Sequence, residues 1–545
     1  MKKKRAPLTR ETLRRILSEF PTLPWSDHEI DELVSPQMGV ITGFEDILDA
    51  VEKLSETDLG ETGPAGGWRP EDIVAKKPKD PAWTSMPVYE LAPLIESGKM
   101  SPVDLAEVFL NQIETANGAL KAYITVAGEN ARLAAQKAAE KIKKGIYSGP
   151  LHGVPYACKD MFMTQGIRTT GGSKVLEDWI PDRDADAVQK LSAAGGVLLG
   201  KLNLHEFAYG ATGENKHFGT VPNPFDPSRL AGGSSSGCAA AVAAGLAPYA
   251  IGTDTGGSTR APAALCGVVG LKPTYGAVSL KGAIPFCWSL DHIGIFSRTT
   301  PDAALVFGAL GRDVPGDPGW TQNLLDSFLK ASSHDLSKLR VGVPKSFFFE
   351  KTDPEILAAT QKAIALFERS GARIIDIDMP PMDHARAVSL IIQLPEALSY
   401  HSARLPEKKE LYGQDIRAGL ALGQFILAEH YVRAKRMMEM FRRDMGRVFE
   451  NVDLIITPSC PVTAPEMGAR FVTIENEKEP AGNAITRFTS FFNLTGNPAI
   501  SIPSGLHSSG LPMGVQLVGR PFEENTLLKA AHALEKQMGR VKKPD

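Results

Sequence analysis

Apolar residues along this chain recur in two rhythms that trade places repeatedly. From about Met86 onward, short apolar runs alternate with stretches in which apolar residues return every third or fourth position. Ser101-Pro102-Val103-Asp104 opens a helix, with a capping serine, a proline in the first turn and an early acid. A second helix is predicted over 129–144 and stops at Gly145. Strand-like runs then follow at GGVLLGKLN (195–203), YAIGTDTGG (249–257) and CGVVGLKP (266–273), with an alanine-rich helix, CAAAVAAG (238–245), among them. LRVGVPKS starts another strand at Leu339, helical patterns fill 354–370 and 385–450, and late strands are predicted at 453–459 and 498–505. Interleaving of this kind indicates an α/β layer architecture. No repeat of fixed period interrupts it.

The first 54 residues follow a different plan of short amphipathic helices. Ser26 and Glu29 form a capping box ahead of Ile30, Leu33 and Val34, and Phe44, Ile47, Leu48 and Val51 share one face of 43–54. Residues 55–70 are rich in Gly, Pro and acids and read as a linker. The expected organisation is therefore a helical extension with its linker over 1–70 and a main body over 71–545. The extension either packs on the body or mediates subunit contact.

Composition narrows the classes. With 43% hydrophobic and 23% charged residues the chain can bury a sizeable core. A formal net charge of -3 supplies no global field toward nucleic acid or an anionic membrane. The basic start lacks an apolar segment of signal-peptide length, and no window reaches about 18 apolar residues, the span of a bilayer. The five cysteines contain no C-x-x-C pair and read as small buried hydrophobes in a reducing compartment, the cytoplasm by default. The expected partner is a small molecule, with no nucleic acid and no membrane and with room for a homodimer.

Candidate chemistry concentrates in two loops. Gly232-Gly233-Ser234-Ser235-Ser236-Gly237 leads into the alanine-rich helix. A phosphate cradle would need a lysine after such a loop, and none follows. Gly233-x-Ser235-x-Gly237 does match the nucleophile elbow of α/β-hydrolases, which would make Ser235 the nucleophile of an esterase. The second loop is Gly252-Thr253-Asp254-Thr255-Gly256-Gly257-Ser258-Thr259-Arg260, where two glycines before a serine can turn successive N–H groups toward one oxyanion. Asp254-Thr255-Gly256 has no second D-T-G to complete an aspartic dyad. A serine hydroxyl needs a base. Lys159, at the end of GVPYACK, would become one if burial lowered its pKa. His205-Glu206 begins like a zinc-binding H-E-x-x-H but lacks the second histidine, so no metal or other cofactor is expected.

The ordered set GVPYACKD, GGSSSGCAAAVAAG and GTDTGGSTRAPAALCGVVGLKPTYG resembles the amidase signature family, as does the tail from FFNLTGNPAISIPSG onward. The resemblance spans most of residues 86–535. It implies a large mixed β-sheet covered by helices on both faces, here with the small helical N-terminal extension. It also implies amide hydrolysis through an acyl-enzyme, with Ser258 as nucleophile, Ser234 as bridging serine on a cis Gly233–Ser234 peptide, and Lys159 as base. The backbone N–H groups of Thr255, Gly256, Gly257 and Ser258 would hold the oxyanion. Asp254 and Arg260 would brace the nucleophile loop, Thr253 would hydrogen-bond the bridging serine, and Asp160 would support Lys159. Ser236 departs from the family pattern, which has glycine there.

One branch of that family is the glutamine-hydrolysing subunit of a tRNA-dependent amidotransferase. The stretch KGAIPFCWSLDHIGIFSRT, 281–299, is similar to the hydrolase branches instead, so a hydrolase of linear amides is the expected activity. The substrate does not follow from these residues.

Overall fold

The computed structural model describes residues 82–311 and 336–541. The expected N-terminal helices and the linker lie outside the described residues. Ser101 accepts a hydrogen bond from the Val103 N–H and caps helix α1 (Pro102–Leu120), as the proline and acid of its first turn predict. Helix α2 (Gly128–Lys143) buries Ala131, Ala135 and Ala138 on one stripe and gives way at Gly145, whose φ is +76°.

Eleven strands form one mixed sheet. In chain order they are β1 (Tyr123–Val126), β2 (Pro155–Lys159), β3 (Val197–Leu202), β4 (Tyr249–Asp254), β5 (Val269–Lys272), β6 (His292–Ser297), β7 (Arg340–Pro344), β8 (Arg373–Ile377) and β9 (Leu454–Pro458). A separate hairpin of β10 (Phe471–Ile474) and β11 (Glu477–Pro480) follows, and β12 (Ala499–Leu506) and β13 (Pro512–Gly519) return to the large sheet. The spatial order is β1-β3-β2-β4-β6-β5-β12-β13-β9-β7-β8. Parallel pairs (β3 with β2, β2 with β4, β9 with β7, β7 with β8) flank an antiparallel centre.

Alternation along the strands explains the layers. Leu454 and Ile456 of β9 join a core with Leu366 and Phe367 of α6 (Pro354–Arg369) and with Leu527 and Leu528 of α11 (Glu524–Met538). Ile455, between them, joins a second core with Val388 and Ile392 of α7 (Ala385–His401) and with Met438 and Phe441 of α9 (Ala428–Asn451). Successive strand side chains point to opposite faces, so helices must cover both. The expected α/β fold is what the chain adopts.

The helical segments expected over 385–450 are present as several helices. After α7 come a short turn at Leu405–Lys408, α8 (Gln414–Leu422) and only then α9. Among the described residues no helix is long and apolar enough to cross a membrane, and all five cysteines are buried and unpaired.

Candidate active site

β2 and β4 run side by side in parallel, with Ala157 opposite Ala250 and Cys158 opposite Ile251. Every residue of both strands is buried, which is why each reads as a near-continuous run of apolar and small residues. Their carboxyl ends leave the sheet together, the usual place for a crevice in an α/β sheet. Lys159 ends β2, and Thr253 and Asp254 end β4, so the register alone brings a lysine to the start of the glycine-rich turn.

Lys159 Nζ donates to Ser234 Oγ at 2.7 Å and to Thr253 Oγ1 at 2.8 Å. Its side chain has no solvent exposure, and burial lowers its pKa from 10.5 to about 8, with the negative charges of Asp291 and Asp254 opposing the fall. Ser234 follows a cis peptide bond from Gly233, and its carbonyl accepts from the His205 N–H at 3.0 Å. The Gly233 N–H donates to Ala211 O at 2.7 Å, and a side chain at Gly233 would meet Gly213 N at 2.6 Å. Helix α3 (Ser236–Ala243) starts directly behind this loop.

Ser235 is placed differently. Its hydroxyl is fully buried and donates to Thr253 O at 3.1 Å, against β4 rather than toward a cleft. A nucleophile elbow holds its serine exposed above the sheet. This geometry does not suit Ser235 to that role.

The second loop is held from within. Asp254 accepts from the N–H groups of Gly257 (2.8 Å) and Thr259 (3.1 Å) and from Arg260 Nε (3.1 Å) and Nη2 (2.9 Å). Burial alone would raise this carboxyl, but the Arg260 guanidinium holds it well below the usual carboxylate range. Arg260, without solvent exposure at the start of α4 (Arg260–Leu265), spends its remaining donors on Thr489 O, Gln516 Oε1 and Asn493 Oδ1. Thr489 Oγ1 donates to Gly256 O at 2.8 Å. Gly257 has φ +129°, and a Cβ there would fall 1.9 Å from Thr489 Oγ1, so glycine is required on both counts.

Among the expected oxyanion donors, the Gly257 N–H is thus committed to Asp254. Those of Thr255, Gly256 and Ser258 hydrogen-bond to none of the described residues. Ser258 is 8% exposed, and its hydroxyl likewise has no partner among the described residues, so the structure leaves it outside the Lys159–Ser234 hydrogen bond. Catalytic hydrogen bonds are often long before substrate binds.

Asp160 does not touch Lys159 through a hydrogen bond. Its carboxylate accepts from the Thr170 N–H and hydroxyl and pairs with the equally buried Lys201 at 3.2 Å. Asp160 directly follows β2, and Lys201 belongs to the neighbouring strand β3. His205 lies 3.3 Å from Asp415 of α8, and Glu206 accepts from Ser173 Oγ and the Gly413 N–H, so this pair ties α8 to the loop that carries Ser234. Sequence patterns alone do not mark Asn493, Gln516, Thr489 or Asp291 as parts of the site. Asn493 and Asp291 do fall inside conspicuous sequence segments, FFNLTG and WSLDH.

Comparison with known proteins extends these findings. A sequence profile of the family described as Amidase matches residues 104–528. A glutamyl-tRNA(Gln) amidotransferase subunit of Geobacter metallireducens is 37% identical over 473 residues, covering 82% of this chain and 96% of the relative. A solved structure reported as a vestigial protein complex revealing the evolutionary origins of an s-triazine catabolic enzyme superposes with a TM-score of 0.78 at 33% identity, covering 84% of this chain and all of the other. A crystal structure of an amidase gives 0.76 at 32% identity, over 83% of this chain and all of the other.

The expectation of a chain that meets only a small-molecule amide, binds no nucleic acid and pairs at most with itself is overturned by these relatives. One is by name a subunit of an enzyme acting on a tRNA, and another was solved as a protein complex. Net charge, on which that expectation stood, reports the sum over the surface and not its local patches. With its profile match over most of its length and a relative of this similarity, the chain belongs to the amidase signature family, whose members hydrolyse carbon–nitrogen bonds.

Proposed function

We propose that this chain hydrolyses a carboxylic amide through an acyl-enzyme on Ser258, with Ser234 as proton relay and Lys159 as base. The observation that carries this reading is the buried 2.7 Å hydrogen bond between Lys159 and Ser234, placed where the glycine-rich turn leaves β4. Neutral Lys159 turns its lone pair to the Ser234 hydroxyl and takes its proton, while Ser234 takes the proton of Ser258. Ser258 Oγ bonds to the amide carbon, and the carbonyl π electrons move onto oxygen. The N–H groups of Thr255, Gly256 and Ser258 receive that oxyanion, each donor typically worth about 3 kcal/mol. The Gly257 N–H shapes the turn through Asp254. As the C–N bond breaks, the proton returns through Ser234 to the departing nitrogen. Water then repeats the relay and releases the acid. Thr253, on the other side of Lys159, fixes the amine's position.

The relative's name favours a particular setting, the glutamine-hydrolysing subunit of a tRNA-dependent amidotransferase, and it outweighs the hydrolase likeness of 281–299. In that setting the amide is the side chain of glutamine and the departing nitrogen is ammonia. The resemblance to a solved amidase favours a second reading, hydrolysis of other amides by the same residues. The catalytic body in both is 71–545, with 1–70 as an extension, and the buried free cysteines suit the cytoplasm.

Labelling with a fluorophosphonate tests the chemistry. Wild type is expected to be labelled on Ser258 and Ser258→Ala to lose both labelling and turnover; labelling that persists in Ser258→Ala and is lost in Ser235→Ala would sink the proposal. Ammonia release from glutamine, set against a panel of aryl and alkyl amides, separates the two settings.

A further inference from the structure

We propose that Asp291 is a positioning residue for the oxyanion turn, fastening Thr255 to the backbone of residues 286–287 and so fixing where the Thr255 and Gly256 N–H groups point. The proposal rests on the acyl-enzyme reading given above. Asp291 is buried, and its carboxylate faces three donors. Oδ1 accepts from Thr255 Oγ1 at 2.5 Å, and Oδ2 accepts from the N–H groups of Phe286 at 2.9 Å and Cys287 at 3.0 Å.

The sheet makes this meeting possible. In the β4–β6 ladder Asp254 lies opposite His292, so Thr255, one residue beyond β4, and Asp291, one residue before β6, leave the sheet together. The rest of the turn has other fastenings: Gly257 and Thr259 through Asp254, and Gly256 through Thr489. Among the described residues the Thr255 side chain hydrogen-bonds only to Asp291.

The far end of the brace is anchored too. Glu396 of α7 accepts from the Ser289 N–H at 2.9 Å, from the Ser289 hydroxyl and from Tyr431 OH at 2.8 Å, while Lys435 of α9 donates to Ser289 Oγ at 2.8 Å. A continuous polar chain thus runs from the covering helices through residues 286–291 to the oxyanion turn. An asparagine at 291 would keep its carbonyl oxygen for the two N–H groups and turn its NH2 to the Thr255 hydroxyl, which must then accept instead of donate, so that link is reversed and loses its charge.

Asp291 also acts through its charge. The ionisable groups whose charges it feels or affects are Lys159 at the end of β2, Cys287 on its own loop and Tyr275, and Glu396 shares the same surroundings. Its negative charge favours the protonated form of Lys159. Removing that charge lowers the pKa of Lys159, so the alkaline rise in rate moves to lower pH even as the rate itself falls. A purely structural defect would not produce that pairing.

The experiment compares wild type, Asp291→Asn, Thr255→Val and the double variant in amide kcat and KM from pH 6 to 10, in fluorophosphonate labelling of Ser258, and in melting temperature. Asp291→Asn is expected to lower kcat and labelling about 100-fold with KM changed less than about threefold, since a donor misplaced by about 1 Å costs that much. The double variant should be no slower than Asp291→Asn by more than about threefold, because both substitutions cut one link. Losses that multiply, an unmoved pH limb, or a labelling rate equal to wild type would each overturn the proposal. Should Asp291→Asn fail to fold, Thr255→Val alone decides: about a tenfold loss in kcat at unchanged KM supports the brace, and a wild-type rate overturns it. Wild type that is not labelled at Ser258 overturns the acyl-enzyme reading and this proposal with it, whereas labelled wild type with an unaffected Asp291→Asn overturns this proposal alone.

Discussion

If Lys159 is the base, its titration sets the pH dependence of the enzyme, and its burial moves that titration toward neutral pH. Burial lowers it from 10.5 to about 8. At pH 7 a lysine of pKa about 8 is neutral in roughly one molecule in ten, against about one in 3,000 at the ordinary value, a gain in base of about 300-fold. The acylation rate is expected to rise tenfold per pH unit up to about pH 8 and to level off above it. Lys159→Arg keeps the charge but cannot give up its proton, and it should lose several orders of magnitude in rate at every pH. The same shift has a cost in stability. A lysine whose folded pKa lies below its unfolded pKa destabilises the fold fully below pH 8, by about 3 kcal/mol, and the cost disappears as pH rises from 8 to 10.5. Lys159→Met removes that cost but leaves the buried Ser234 and Thr253 hydroxyls without this partner, at about 1–3 kcal/mol each. The two effects largely offset each other, so its melting temperature should stay near that of wild type while its activity is lost. Stopped-flow acylation across pH 5.5–10 and scanning calorimetry on the three proteins check both halves. A rate flat from pH 6 to 9, or Lys159→Met within tenfold of wild type, would refute the assignment.

Two further outcomes follow from the second loop. Arg260→Ala leaves the buried Asp254 carboxylate without its guanidinium and three other acceptors without donors, so urea denaturation should show a loss of about 3–5 kcal/mol. Stability within 1 kcal/mol of wild type would mean that water replaces the guanidinium. Gly257→Ala forces a Cβ into Thr489 Oγ1 at a φ that disfavours side chains, and it should reduce labelling of Ser258 at least 100-fold. Restoration of labelling by Thr489→Gly in the same chain, which removes both the hydroxyl and the Cβ that a side chain at 257 would meet, would show that the clash, and not φ, is the cause.

The parts of this fold that are legible in the sequence are those in which a local rule dictates residue type. Ser101 and Pro102 mark a helix start because an orphan N–H needs an acceptor and a proline lacks one to lose, and the structure caps α1 on Ser101 Oγ. The loops 232–237 and 252–260 stand out because close backbone approach demands glycine, as Gly233 and Gly257 show. What no local rule reveals is adjacency. Lys159 meets Ser234 and Thr253 because β2 and β4 are parallel neighbours, and about 90 residues of chain lie between those strands. β8 (RIIDI) gives little strand signal because charged residues interrupt its apolar run. β13 is masked because PMGVQLVG carries proline, glycine and a buried Gln516 that answers Arg260 from far along the chain. The helical segments of 385–450 are legible as helical, but their breaks are not, because the apolar spacing persists across Gly413 and Gly423, where the chain turns.

Asp291 shows the limit most clearly. Its segment is conspicuous, but a lone aspartate in an apolar run carries no instruction about which donor it will face. Only the pairing of β4 with β6 tells it to face Thr255. The same reasoning separates the two kinds of acid in this site. Asp254 is answered by Arg260, six residues away, and could be paired with it on sequence alone. Among the described residues no guanidinium hydrogen-bonds to Asp291, and burial raises it to about 6, so its carboxylate is held by dipoles that a few tenths of an ångström can misalign. A brace of that kind is sensitive to whatever moves residues 286–291, and those residues hang on Glu396 and Lys435 of the covering helices. Movement of α7 or α9 would therefore reach the oxyanion turn through Asp291, whereas Lys159 is held by Ser234 and Thr253 at the carboxyl ends of β2 and β4, where α8 has its own tie through His205 and Glu206.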